Sequence, residues 1–257
     1  MKHDDLRQIM DTWPYEPGKI TVRTIVGTDG AEKVQMRLDL GLLQMEMDGR
    51  PDGQRPDGHE SLLACHQERF RKYEESNGTD LGFELSSEDC QSLRDEALMY
   101  YHRYLSLFVL EDFGRVERDT ARNLQALDLC NKYAAEEWDR LVLEQYRPYI
   151  VMMNARAKAM QAMRAGMFKT ALAHVEASLS AIREFFERHE RPDAFEQSSE
   201  VQILRALRHD ITQRLPIGAI ERLERKLQRA LHEERYEDAA RIRDQIQQFQ
   251  NSADAEA

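Results

Sequence analysis

The sequence predicts a mainly helical protein: a bundle of helical hairpins, with a small antiparallel β-hairpin or meander at the N-terminus and a helical hairpin at the C-terminus. Three observations carry that expectation. From residue 59 onward, apolar side chains recur at gaps of three and four, the period of a helix with one buried face. Between residues 20 and 47 they alternate with polar ones, the period of a half-buried strand. The last periodic stretch, 220–249, is interrupted by the charged turn His232-Glu233-Glu234-Arg235.

Taken in order, residues 4–12 form a short helix with Leu6, Ile9 and Met10 on one side, ended by the Trp13-Pro14 to Pro17-Gly18 stretch. Ile20–Val26 is β-branched and reads as a strand, followed by the turn Gly27-Thr28-Asp29-Gly30. From Lys33 to Leu40, Val34, Met36, Leu38 and Leu40 share one face, and Lys33, Gln35, Arg37 and Asp39 the other. Leu43–Met47 gives a third strand. So small a sheet has to lean on the helices.

A tandem RPDG follows at Arg50–Gly53 and Arg55–Gly58. Pro followed by Asp-Gly favours turns, so the stretch reads as a rigid double turn joining sheet to helices. It is also the loop whose Arg50, Asp52, Arg55 and Asp57 are the candidate contact residues, because contact residues concentrate on loops held by a scaffold.

The helices run from His59 to Ser76, closed by Asn77-Gly78, and then from a Ser87 N-cap to about Leu110. A third spans Arg115–Tyr133, with a continuation through Trp138 to Gln145 until Pro148 breaks it. Residues 148–165 carry Met152, Met153, Met160 and Met163 near one face, a core filler. Two more helices cover 168–187 and 200–214, separated by a linker at His189–Asp193, with Ser198 or Ser199 as the cap of the second. The pattern aromatic–x–x–small or β-branched recurs at Phe113–Val116, Phe168–Ala171 and Tyr236–Ala239. Around Gly166 it resembles the turn of a tetratricopeptide repeat, and residues 86–190 are expected to form a TPR-like bundle. The expected divisions are 1–58, 59–215, 217–250 and a flexible tail at 251–257.

Composition narrows the function classes. Net charge is −11 over 257 residues, which argues against general nucleic-acid binding, since phosphate neutralisation needs clustered Lys and Arg. Even between Glu221 and Asp244, seven acidic residues balance seven basic ones. The opening residues are charged and no apolar segment follows them, so no secretory signal is expected, and no run approaches a membrane span. Cys65, Cys90 and Cys130 are widely spaced and read as reduced thiols in a cytoplasmic protein. Phosphate-binding loops, dinucleotide fingerprints, zinc-protease and nucleophile-elbow motifs are all missing from the sequence. Adjacent Cys65-His66 point different ways on a helix and make no nucleophile–base pair. The chain is therefore expected to be no enzyme, with no cofactor and no metal.

The C-terminal hairpin is the stretch that points to a task. Ile220, Leu223, Leu227 and Ala230 form one stripe; Ala239, Ile242, Ile246 and Phe249 form another. Two helices this short are marginal alone in water, so the stripes face each other, the rest of the chain or a partner. The run from Leu223 through Glu233-Glu234-Arg235-Tyr236-Glu237-Asp238-Ala239-Ala240-Arg241-Ile242-Arg243-Asp244-Gln245-Ile246 resembles the UVR motif. That motif is shared by the UvrB and UvrC subunits of bacterial nucleotide excision repair and by some bacterial stress regulators. Tyr236 stands where Phe is commoner; Ala239, Ala240, Arg243, Asp244 and Ile246 match directly.

The resemblance implies a hairpin that pairs with another hairpin, through Leu223, Leu227, Tyr236, Ala239, Ala240, Arg243, Asp244 and Ile246. An aromatic at the start of the second helix would plug the corner, and the two alanines would let backbones approach. Arg243 and Asp244 can pair across the interface or within the hairpin. The expected function is a protein–protein interaction adaptor. Its partner would carry a helical hairpin, a UVR motif among the choices, or be a second copy; the charged flanks Glu221, Arg225, Arg229, Glu237, Arg241 and Arg243 would set specificity. The alternative is an accessory or regulatory factor of an enzyme complex, either excision repair or a stress-responsive kinase or protease. The stress regulators carry Cys zinc modules, which this chain lacks.

Overall fold

A computed structural model describes residues 5–214 and 219–255, with side chains over 5–214 and 225–245. The chain divides into two compact units, Met1–Ile211 and Thr212–Ala257. The first holds a helix α1 (Arg7–Thr12), strands β1 (Thr21–Val26), β2 (Glu32–Arg37) and β3 (Leu42–Glu46), and helices α2 (Leu62–Asn77), α3 (Ser87–Val109), α4 (Phe113–Tyr133), α5 (Glu137–Val142), α6 (Arg147–Arg164), α7 (Phe168–Arg188), α8 (Pro192–Gln197) and most of α9 (Ser199–Arg214). Helices α10 (Ala219–His232) and α11 (Tyr236–Ala255) make the hairpin of the second.

The sheet is a meander, β1-β2-β3, antiparallel throughout. Its central strand corrects one expectation. The polar face of β2 was expected to meet solvent, yet Lys33, Gln35 and Arg37 are as buried as Val34 and Met36. Each is satisfied in place. Arg23, Gln35 and Gln44 lie opposite one another across the three strands and form a hydrogen-bonded row: Arg23 Nε donates to Gln35 Oε1 and Gln35 Nε2 to Gln44 Oε1, both at 2.8 Å. Lys33 pairs with Asp29 and with Glu46, its neighbour across the ladder. Arg37 donates to the carbonyls of Trp13 and Gly41, each at 2.8 Å. Buried polar groups persist when they are paired in this way. The strand also ends earlier than expected, leaving Leu40 87% exposed.

The apolar face of the sheet joins the larger core. There Val34, Met36, Met45 and Met47 cluster with Tyr104, Leu107, Phe113 and Val116 of α3 and α4, with Met152 and Met153 of α6, and with side chains of α7 and α9. Met160 and Met163 pack on its edge, so the methionine stripe fills core. A second cluster joins α2, the start of α3 and the end of α4 through Leu63, Leu85, Cys90, Leu93 and Cys130. The three cysteines are free.

Helix ends follow capping chemistry, with shifts of one to three residues from the expected bounds. Ser61 caps α2, whose other end is Gly78 in the left-handed region. Ser86, not Ser87, caps α3, in a reciprocal capping box with Asp89. The expected continuation of α4 does not form: the chain leaves the helix at Ala134, pairs with Leu85 as an isolated bridge, and restarts as α5. Pro148 sits in the first turn of α6, where its missing N–H costs nothing. The linker around residue 193 contains α8. Ser198 Oγ accepts from Val201 N at the start of α9. Among the described residues, no helix is long and apolar enough to cross a membrane.

Candidate functional site: the C-terminal hairpin

Three helix-to-helix corners share one construction. At the end of α10, Glu234 adopts φ 57°, Arg235 N donates to Ala230 O at 2.8 Å and Glu234 N to Leu231 O at 3.1 Å. This is a Schellman motif, with glutamate at the left-handed position that glycine usually takes. The same bonds close α3, with Glu111 at φ 60° and Asp112 N donating to Leu107 O, and α6, with Gly166 at φ 73° and Met167 N donating to Ala162 O. In each case an aromatic opens the next helix: Phe113, Phe168 or Tyr236. Three residues later comes the position at which the helices cross. Leu107 with Val116, Ala162 with Ala171, and Ala230 with Ala239 are nine residues apart in each pair, and all six are buried. The aromatic–x–x–small echo in the sequence is the trace of this corner.

In the C-terminal hairpin, Ala230 and Ala239 therefore meet without side-chain bulk between the two backbones, and Leu227 and Ile242 are half-buried beside them. The charged turn is braced locally: Arg235 pairs with Glu233 at 2.7 Å and with Asp238 at 3.2 Å. Two expectations change here. Tyr236 does not plug its corner but stands 67% exposed, and Ala240 is exposed while Ala239 alone takes the close approach. Arg243 and Asp244 are exposed. The side chains of Leu223 and Ile246, and the end of the expected tail at 256–257, lie outside the described residues. Leu231, which belongs to neither stripe, is 43% exposed. It follows Ala230 directly and so is turned off the hairpin's inner seam.

The tandem RPDG is a clamped double turn. Gly53 N donates to Arg50 O and Gly58 N to Arg55 O; Asp57 takes φ 47° inside a 3-10 turn at Pro56–Gly58. Arg50 turns inward, its Nε 3.2 Å from a carboxylate oxygen of the fully buried Glu96. Glu96 also accepts from the N–H groups of Leu62 and Leu63 at 2.8 and 3.2 Å, at the positive end of α2, and pairs with Arg122. Burial pulls the Arg122 guanidinium down to about 9. Asp52 accepts from Gln54 N, and the Asp57 carboxylate lies 3.8 Å from the Cys65 thiol. Of the four expected contact residues, Arg55 alone is exposed without a pairing within the loop's surroundings.

Just before the tandem loop, a second buried pair ties down the end of β3. Arg103 donates to Asp119 twice, at 2.7 and 2.9 Å, and to the carbonyls of Glu46 and Gly49 at 3.0 and 2.8 Å. The neighbouring Asp48 is held at about 2 by hydrogen bonds from Arg115 and Arg118. None of these pairs follows from sequence spacing, since the partners lie 16 to 70 residues apart.

No curated protein and no solved structure matches the chain. Residues 218–252, which span α10, the charged turn and most of α11, match the family model of the UvrB/uvrC motif, UVR.

Proposed function

We propose that the chain is a non-enzymatic cytoplasmic adaptor that docks a protein partner through its C-terminal hairpin. The observation that carries this reading is the exposure of Tyr236. An aromatic at the same point of the α3–α4 corner is buried, whereas here a large ring and the neighbouring Leu231 face outward. The pairing mode of the UVR motif supplies the partner class: another helical hairpin, carried by a second UVR-bearing protein or by a second copy of this chain. Helix-on-helix burial drives the association, and the exposed Glu237, Arg241 and Arg243 set its specificity. The helical pairs of the first unit, in whose turns the sequence resembles a tetratricopeptide repeat, are the scaffold.

A second reading rests on the family match itself: the partner is an excision-repair subunit and the chain is an accessory factor of that complex. The equal numbers of acidic and basic residues favour protein over DNA as the hairpin's direct ligand in either reading.

The test is affinity purification of the full chain beside its Leu231→Asp/Tyr236→Asp variant, with sedimentation of both. Both side chains are exposed, so the fold is kept. The expected result is at least about a tenfold loss of partner recovery or of self-association. Equal recovery and unchanged sedimentation would refute docking by this surface; recovery of a repair subunit, lost in the variant, selects the second reading.

A further inference from the structure

The first unit holds a half-open cleft of about 680 Å³ between α3, α5, the start of α6 and the first turn of α9. Leu98, Tyr101, Tyr104, Val142, Tyr146 and Tyr149 give it an apolar, aromatic lining. Its mouth does not close. Leu98 is 55% exposed and Tyr146 is exposed with it. The apolar surface then runs outward along α5. Trp138, Leu141 and Val142 share one face of α5 by their three- and four-residue spacing, and Val142 lines the cleft, as does Gln145 just beyond the helix. Trp138 is 71% exposed and Leu141 is exposed. A contiguous exposed apolar surface of this kind marks an interaction site. A metabolite pocket would end at its own mouth; here the surface continues past it, which suits an extended segment of another protein.

Charge defines the occupant more closely. The cleft's one cation, Arg94, is already spent: its Nη1 donates to Asp139 and its Nη2 to Gln91, both at 2.6 Å. Asp95 is exposed and makes no ion pair, only accepting from Gln91. Glu200, at the rim, accepts from the hydroxyls of Ser198 and Ser199. Glu136 and Glu137 are exposed at the start of α5. Arg140, the nearest other cation of α5, is turned back to the carbonyls of Ala134 and Ala135. The lining is thus apolar with an acidic rim.

We infer that this cleft is a second docking site, independent of the hairpin, for a partner segment that inserts apolar or aromatic anchors and carries Lys or Arg beside them. The anchors fill the tyrosine-lined cleft and lie along Trp138 and Leu141; the basic residues meet Asp95 and Glu200.

The inference is tested by panning a displayed random-peptide library on the full chain, with counter-selection on the full-chain Leu98→Glu/Leu141→Glu variant. Trp13→Phe leaves Trp138 as the single tryptophan, so its emission reports binding to purified peptides. The expected peptides pair Leu, Phe or Trp with flanking Lys or Arg and shift Trp138 emission to the blue. They weaken by about tenfold or more on Leu98→Glu and on Asp95→Lys/Glu200→Lys, with circular dichroism of each variant unchanged. Four outcomes overturn the inference: no enrichment over the counter-selected variant; peptides that bind Leu98→Glu equally; equal affinity when the flanking Lys or Arg is replaced by Glu; or concentration-dependent self-association abolished by Leu98→Glu with no peptide binding, which would make the occupant a second copy of this chain.

Discussion

At the α3–α4 corner Leu107 and Val116 are buried and Phe113 is 3% exposed; at the α10–α11 corner Ala230 and Ala239 are buried and Tyr236 is 67% exposed. The backbone hydrogen bonds are the same, and so is the left-handed glutamate. At the first corner a third helix covers the ring. Phe113 packs against Phe108 and under the Arg164 guanidinium, 4.5 Å from its ring centroid, while Gln161 reaches its carbonyl; both polar residues come from α6. The corner is thus a local device that closes two helices by itself. Burial of its aromatic is a tertiary event that needs another element laid across it. Where that element is supplied, the aromatic is core, and a ring left uncovered at the same position is surface available to another molecule.

Substitutions can break this comparison. Phe113→Ala should destabilise the protein by about 3–5 kcal/mol through the cavity left under α6, read by thermal or urea unfolding; Tyr236→Ala should change stability by no more than about 0.5 kcal/mol, as for other exposed sites. If the two cost the same, Tyr236 is a core residue and the contrast fails. Ala239→Leu probes what the two corners share. Extra bulk at the crossing should cost about 1–3 kcal/mol through overpacking, seen as faster amide exchange along α10 and α11. A smaller effect is expected from Glu234→Gly. Glycine enters the left-handed region without the Cβ clash, so the hairpin should gain up to about 1 kcal/mol, read as slower exchange at the amides of Glu234 and Arg235. The same gain at Glu111→Gly would sharpen the equivalence of the corners.

The sequence was most legible where one local period decides the outcome. The strands of the meander, the described stripe residues Leu227, Ala230, Ala239 and Ile242 and the break at the charged turn follow from spacing alone, because each records which face of one element is buried. It misled where a face is buried by a distant polar partner. Lys33, Gln35 and Arg37 alternate with apolar residues as a solvated face would, yet they are covered through Glu46, Gln44 and the Trp13 carbonyl. Arg103 with Asp119, and Arg50 with Glu96, look like ordinary surface charges in a chain that is 32% charged; their burial depends on the packing of β3 and the tandem loop against α3 and α4. Tyr236 was misjudged for the opposite reason. Its place in the corner was readable from the motif, but whether anything lies over that corner is not written in the corner's own residues. The α5 surface, too, was hidden inside what read as a continuation of α4.

The nine-residue interval between crossing positions has a consequence for how this chain can vary. Substitutions at the corner change its stability in small steps, but a change in its length does not. One residue added within 232–235 would turn α11 by about 100° about its axis, swinging Ala239 out of the seam and bringing a longer side chain against Ala230. Length at these corners is therefore quantised, like the tooth count of a gear. Insertions should accumulate elsewhere, in segments where no such ruler has to be kept.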